Sequence, residues 1–140
     1  MEVKDTVHLE VLTPENKVID LEVKFVAAPS VEGEFGVYPG HAEMFTLLKA
    51  GEVTYEYGGN RYYAAVSSGY AHVDSSTVSI LVGNAEKAED IDLERATKDR
   101  DKWEMELAGV GLEDKNVPLY KERLERAQAR VDVASRLVKK

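Results

Sequence analysis

Glu52-Val-Thr-Tyr-Glu-Tyr57, then Gly58-Gly59-Asn60, then Arg61-Tyr-Tyr-Ala-Ala-Val66 is the stretch that decides the fold class. Two runs rich in Val, Thr, Ala and Tyr flank a glycine pair, and glycine takes the positive φ that a tight hairpin turn demands. Outward from it, Val7, Leu9 and Val11 alternate with His8, Glu10 and Leu12, and Leu21, Val23 and Phe25 alternate with Glu22 and Lys24. A period of two belongs to half-buried strands. Ser67-Ser-Gly69, Ala71-His-Val73 and Thr77-Val-Ser-Ile-Leu-Val82 add short strands around an Asp74-Ser-Ser76 turn. No long helical pattern interrupts them, so a parallel βαβ sheet is excluded and an antiparallel β-sandwich or barrel is predicted.

Near residue 86 the chain changes character: aromatics and glycines give way to Ala, Leu, Glu, Lys and Arg. Asp90 or Asp92 can cap a helix that carries Leu93, Ala96, Arg100, Trp103 and Leu107 at helical spacing. The glycines and proline of Gly109-Val-Gly-Leu-Glu-Asp-Lys-Asn-Val-Pro118 end it. Tyr120, Leu124, Ala127, Val131, Ala134 and Val138 then recur every three or four residues, a narrow seam suited to an antiparallel two-helix hairpin. Such an alanine-rich seam holds thinly, and a thinly packed element is easily released and redocked. The expected domains are a β-sandwich over 1–86 and a helical hairpin over 87–140.

The 140 residues carry a net charge of −8 and no cysteine. Disulfides and thiolate zinc sites are therefore excluded, and the charge argues against nucleic-acid binding, which needs clustered cations. The charge is unevenly spread. Residues 1–85 hold 5 Lys/Arg against 12 Asp/Glu, whereas residues 118–140 hold 7 against 3. No run approaches the roughly eighteen apolar residues of a membrane span, and the start lacks the pattern of a signal or transit peptide. Any membrane association is expected to run through a partner protein.

Enzymatic motifs are wanting. His8, His41 and His72 stand far apart without metal-ligand spacing, and GxSxG, GxxxxGK[ST] and GxGxxG do not occur. Gly33-Glu-Phe-Gly-Val-Tyr-Pro-Gly-His41 is the densest run of special residues. It reads either as a sandwich corner or as an exposed contact loop presenting Glu34, Tyr38 and His41. Along Glu86-Lys-Ala-Glu-Asp-Ile-Asp-Leu-Glu-Arg-Ala96, the carboxylates suit a helix N-terminus. Asp92 and Arg95 share a helical face, as do Arg126 and Arg130. Should those faces meet, the guanidiniums can engage a polyphosphate while the carboxylates accept from a base or ribose. The plainer alternative is a pair of solvated helix faces.

The sequence resembles the epsilon subunits of bacterial and chloroplast F-type ATP synthases along essentially its whole length. The resemblance rests on Gly33-Glu-Phe-Gly-Val-Tyr-Pro-Gly-His-Ala42, on Ser68-Gly-Tyr70 with Val73, on Val78-Ser-Ile-Leu81 and on Ala88-Glu-Asp-Ile-Asp92. It implies a non-catalytic rotor-stalk subunit whose sandwich packs on the gamma subunit and touches the polar loops of the membrane c-ring. Glu34 and His41 match the c-ring contact segment, with Tyr38 between them. The hairpin is implied to move between a compact state and one inserted into the catalytic alpha/beta head, where it inhibits ATP hydrolysis. The basic last helix, with Arg123, Arg126, Arg130 and Arg136, would there meet acidic segments of beta.

Some members of that family bind ATP through an I/L-D-x-x-R-A motif, which Ile91-Asp-Leu-Glu-Arg-Ala96 fits. The implied site comprises Glu86, Ile91, Asp92, Arg95, Ala96, Arg126 and Arg130, with ATP as a regulatory ligand and no other cofactor or metal. Lys102 departs from the arginines common along the first helix, and Ser67-Ser68 from a usual glycine pair. The implied location is peripheral, on the cytoplasmic face of the bacterial inner membrane. A different class of reading is a stand-alone sandwich module that binds proteins and dimerises through a helical tail; a small hydrolase has no motif to support it.

Overall fold

The computed structural model describes residues 5–138. At its centre, β6 (Gly51–Tyr57) and β7 (Asn60–Val66) form the expected hairpin, with Tyr57 opposite Asn60. Gly58 and Gly59 make the turn at φ 58° and 82°, both in the left-handed region that side chains avoid. Preceding them are β1 (Val7–Leu12), β2 (Lys17–Val23), β3 (Phe25–Ser30), β4 (Gly33–Val37) and β5 (Met44–Leu48). After them come β8 (Gly69–Val73), β9 (Thr77–Val82) and β10 (Ala85–Lys87). The strands run in the order β10-β7-β6-β3-β5-β8-β9-β1-β2, with β4 paired to β3, and the sheet curls until β2 approaches β6 and β10.

The β-sandwich or barrel is thus as expected, with two local differences. β1 pairs with β9 in parallel, Leu9 beside Val78 and Val11 beside Ile80, while the other pairs are antiparallel. The long chain between the two strands leaves room for the crossover that a parallel pair needs. The second difference is at Lys24, where the apparent strand Leu21–Phe25 breaks. Val23 pairs with Val7, but Phe25 pairs with Glu56, so the chain passes from one neighbour to another.

Inward-facing positions of each strand fill one core, including Val7, Leu9, Val11, Val23, Val53, Val73, Val78 and Ile80, all fully buried. At about 1.5–3 kcal/mol for each large aliphatic side chain buried, this core is the main source of stability. Asp74 fixes the β8–β9 turn by accepting from the Ser76 and Thr77 amides at 2.8 Å each. Those two hydrogen bonds hold its carboxyl below the usual carboxylate range.

One turn of 3-10 helix, Ala88–Asp90, leads to α1 (Leu93–Ala108) and α2 (Val117–Val138). Asp92 is the N-cap of α1, its carboxylate accepting from the Arg95 amide at 3.1 Å. Ala127, Val131 and Ala134 of the anticipated seam are buried, with Tyr120 and Leu124 half-buried; the Val138 side chain lies outside the described residues. Near the loop that joins the helices, the rings of Trp103 and Tyr120 lie 5.7 Å apart. A second stripe on α2 docks the hairpin onto the sandwich: Ala129 and Val133 pack with Ala65 and Ala88, flanked by Tyr63 and Ile91. Three of those four buried residues are alanines. The hairpin therefore sits in a compact position on a thin apolar footing.

Candidate functional site

A cleft of about 390 Å³ opens where β7 and β10 meet the two helices. It is lined by Ala65-Val66-Ser67 at the end of β7 and by the Asn84 turn, tied by a hydrogen bond from the Asn84 amide to Ser67 Oγ at 2.9 Å. Glu86 reaches it because β10 pairs with β7, placing Glu86 beside Ala65. Arg95 and Asp99, one turn apart on α1, supply one wall, and Arg126 and Arg130, one turn apart on α2, supply the other.

Arg130 is the hub. Its Nε donates to Glu86 Oε1 at 2.6 Å and its Nη1 to Asp99 Oδ2 at 3.4 Å. One side chain thereby joins strand, first helix and second helix, with only 22% of its surface exposed. Arg126 is held loosely, 3.7 Å from Glu122 on its own helix. Among the described residues, the Arg95 guanidinium has no hydrogen-bond or ion-pair partner while lining the cleft. Three guanidiniums around a polar recess of this size can take a multiply charged anion such as a polyphosphate.

Of the seven expected ligand residues, Glu86, Arg95, Arg126 and Arg130 line this cleft. The other three have different positions. Asp92 caps α1, Ile91 packs beside the alanine cluster, and Ala96 is fully buried beneath the helix. Asp99, Ser67 and Asn84 line the cleft without having been singled out. Asp99 was legible in principle, since it follows Arg95 by four residues and shares its helical face.

The contact segment contributes no residue to this cleft. Glu34 is exposed on β4, which begins at Gly33 with φ 127°, so half of the expected loop is strand. Tyr38 is 65% exposed, its ring 4.7 Å from that of Phe25. Gly40 donates its amide to Ser75 O at 3.0 Å, and His41 Nδ1 lies 2.6 Å from Ala42 O. Nearby, an exposed apolar patch comprises Val31, Phe45, Leu47 and Tyr70, with the rings of Phe45 and Tyr70 5.3 Å apart. A patch of large apolar side chains on a strand face marks a protein-contact surface.

Residues 6–88 match the family model described as the ATP synthase delta/epsilon chain, β-sandwich domain. An ATP synthase epsilon chain of Citrifermentans bemidjiense is 45% identical over 132 residues, 94% of this chain and 96% of its own length. The chain belongs to the ATP synthase epsilon-chain family. A second epsilon chain, from Nitratidesulfovibrio vulgaris, is 39% identical over 128 residues, 91% of this chain and 95% of its own. Among solved structures, a chain of the Euglena gracilis mitochondrial ATP synthase matches with TM-score 0.80 at 23% identity, covering 96% of this chain and 84% of that one. At that identity the match speaks to the fold, and it extends past the sandwich into the helices.

In this epsilon-family chain the four arginines of α2 lie against carboxylates of their own chain. Arg123 lies 3.6 Å from Glu122 and 6.0 Å from the Trp103 ring. Arg136 pairs with Glu52 of β6 and lies over the Tyr63 ring at 5.1 Å. Together with Arg126 and Arg130, all four arginines of the expected inhibitory face have carboxylate partners within the chain.

Proposed function

We propose that this chain is a non-catalytic central-stalk subunit of a proton-translocating F-type ATP synthase. Its sandwich couples c-ring rotation to the catalytic head, and its hairpin restrains ATP hydrolysis. The observation that carries the reading is the epsilon-family sandwich with a separable hairpin docked on it through an alanine-rich footing and arginine–carboxylate pairs. The Phe45–Leu47–Tyr70 patch is the natural seat for gamma, and Glu34, Tyr38 and His41 face the c-ring loops. In that role the chain sits peripherally, on the cytoplasmic face of the inner membrane.

The switch is an exchange of partners. In the compact state, Arg130 and Arg136 satisfy Glu86, Asp99 and Glu52; in the extended state, they meet acidic segments of beta. Exchanging one set of ion pairs for another keeps the two states within a few kcal/mol, as a reversible switch requires. ATP in the cleft, held by Arg95, Arg126 and Arg130, would favour the compact state by binding it alone. A stand-alone module with a dimerising helical tail fits less well, because Ala127, Val131, Ala134, Ala129 and Val133 are already buried within the monomer.

Reconstitution tests the reading. The chain should form a one-to-one complex with gamma, and truncation after Asp90 should raise the ATPase activity of the assembled enzyme. Homodimerisation without gamma binding would overturn the stalk assignment, and unchanged hydrolysis would remove the inhibitory role. Calorimetric titration of ATP should show binding that Arg95→Ala abolishes.

A further inference from the structure

The cleft contains a negative charge that a nucleotide site does not need. Glu86 holds Arg130 at 2.6 Å and belongs to a strand of the sheet, so its carboxylate has a structural task. Asp99 is different. Its contact with Arg130 is long, at 3.4 Å, and it is the only side-chain partner of Asp99 among the described residues. It stands one turn after Arg95 on the same face of α1, so its carboxylate points into the space between the guanidiniums. The lining carries three arginines against two carboxylates. Cancelling Asp99 would double the excess positive charge there.

Building on the nucleotide reading above, we infer that Asp99 sets the affinity of the cleft for nucleoside polyphosphates. Its carboxylate competes with phosphate oxygens for Arg130 and repels the incoming anion. The repulsion acts across a half-enclosed recess, where water and salt screen it less than at an open surface. An anion entering the cleft engages the unpaired Arg95 first and must then share Arg130 with Asp99. The weak Arg130 contact returns little to the fold, so removing the charge should leave the hairpin docked.

Calorimetric titration of the full-length protein with ATP, ADP and AMP tests this. Asp99→Asn should tighten ATP binding by about three- to tenfold, the gain expected from removing one partly screened like charge. The gain should fall from ATP to ADP to AMP and shrink as salt is added, whereas Asp99→Glu, which keeps the charge, should stay near wild type. Unchanged or weaker ATP binding by Asp99→Asn, with wild type binding and Arg95→Ala not, would sink the role of Asp99 alone. If neither folded wild type nor folded Asp99→Asn binds ATP, the nucleotide reading falls and this inference falls with it.

Discussion

Arg136 donates both Nε and Nη2 to the carboxylate of Glu52, at 2.8 Å each, bridging the end of α2 and strand β6 across 84 positions of sequence. The geometry is a fork on a fork, and the guanidinium also lies over the Tyr63 ring. The paired Glu52 carboxylate raises the pKa of Arg136 above its ordinary value. Glu52 is largely shielded, whereas Arg136 is about half exposed.

Glu52→Gln should therefore loosen the end of the hairpin without touching the core. Because Arg136 is open to solvent, the loss should be about 1 kcal/mol or less. It should appear as faster amide exchange in the last turns of α2, with the sandwich strands unchanged. Arg136→Lys should give a similar loss, since lysine keeps the charge but cannot fork. Unaltered exchange in both variants would show that the pair is ornamental.

Val133 is fully buried between the hairpin and the sandwich, among Ala65, Ala88 and Ala129. Val133→Asp would place a carboxylate there at a cost of about 3 kcal/mol or more. The hairpin should undock, and limited proteolysis should cut within residues 93–138 while the sandwich keeps its melting transition. Simultaneous loss of both parts would mean that they are one cooperative unit.

Gly69 admits no side chain. A Cβ there would stand 2.1 Å from Leu81 O and 2.8 Å from Val82 Cα, both backbone atoms of the paired strand β9. Gly69→Ala must pry β8 from β9 and should cost about 2–4 kcal/mol in urea unfolding. A loss below about 1 kcal/mol would imply that the sheet absorbs the clash by a local shift.

His8 hydrogen-bonds two carboxylates on β2, Nδ1 lying 2.7 Å from Glu22 and Nε2 2.6 Å from Asp20, with a third, Glu10, at 4.0 Å. A neutral ring has one N–H, so serving both requires the imidazolium. The Glu22 hydrogen bond raises the His8 pKa, burial opposes it, and the Asp20 hydrogen bond adds to the rise, while Asp20 is lowered chiefly by the His8 hydrogen bond. The histidine contribution is whole below its unfolded value near pH 6.5 and fades as pH rises through the raised folded value. The Asp20 contribution is present above its unfolded value and is lost as pH falls through its lowered one. His8→Gln should thus destabilise most at about pH 5.5 and least at about pH 9, read by denaturant unfolding at both. A loss independent of pH would assign His8 a packing role only.

Much of the sandwich was legible because its signals are local. The Gly58-Gly59 turn, the alternation of Val7, Leu9 and Val11, and the Asp92 cap each act within a few residues. The parallel partnership of β1 with β9 was not legible, since pairing across so long an interval leaves no mark in the spacing of either strand. Nor was the break at Lys24, where polarity alternates smoothly through a change of neighbour. At the cleft, helical spacing put Arg126 beside Arg130 and offered Arg95 on a facing helix, but Glu86 joined them only through the family resemblance. The approach of Asp99 to Arg130 needed the assembled helices.

The sequence alone determined the strand-then-helix order, the hairpin turn, an aspartate cap at the start of the first helix and the family, because these depend on neighbours along the chain. Tertiary structure decided which carboxylate each arginine takes: Glu86 and Asp99 for Arg130, Glu52 for Arg136. An ion pair depends on distance through space, and its members here stand 31 to 84 residues apart. Those choices hold the hairpin compact, and they set what a ligand or a partner subunit must displace.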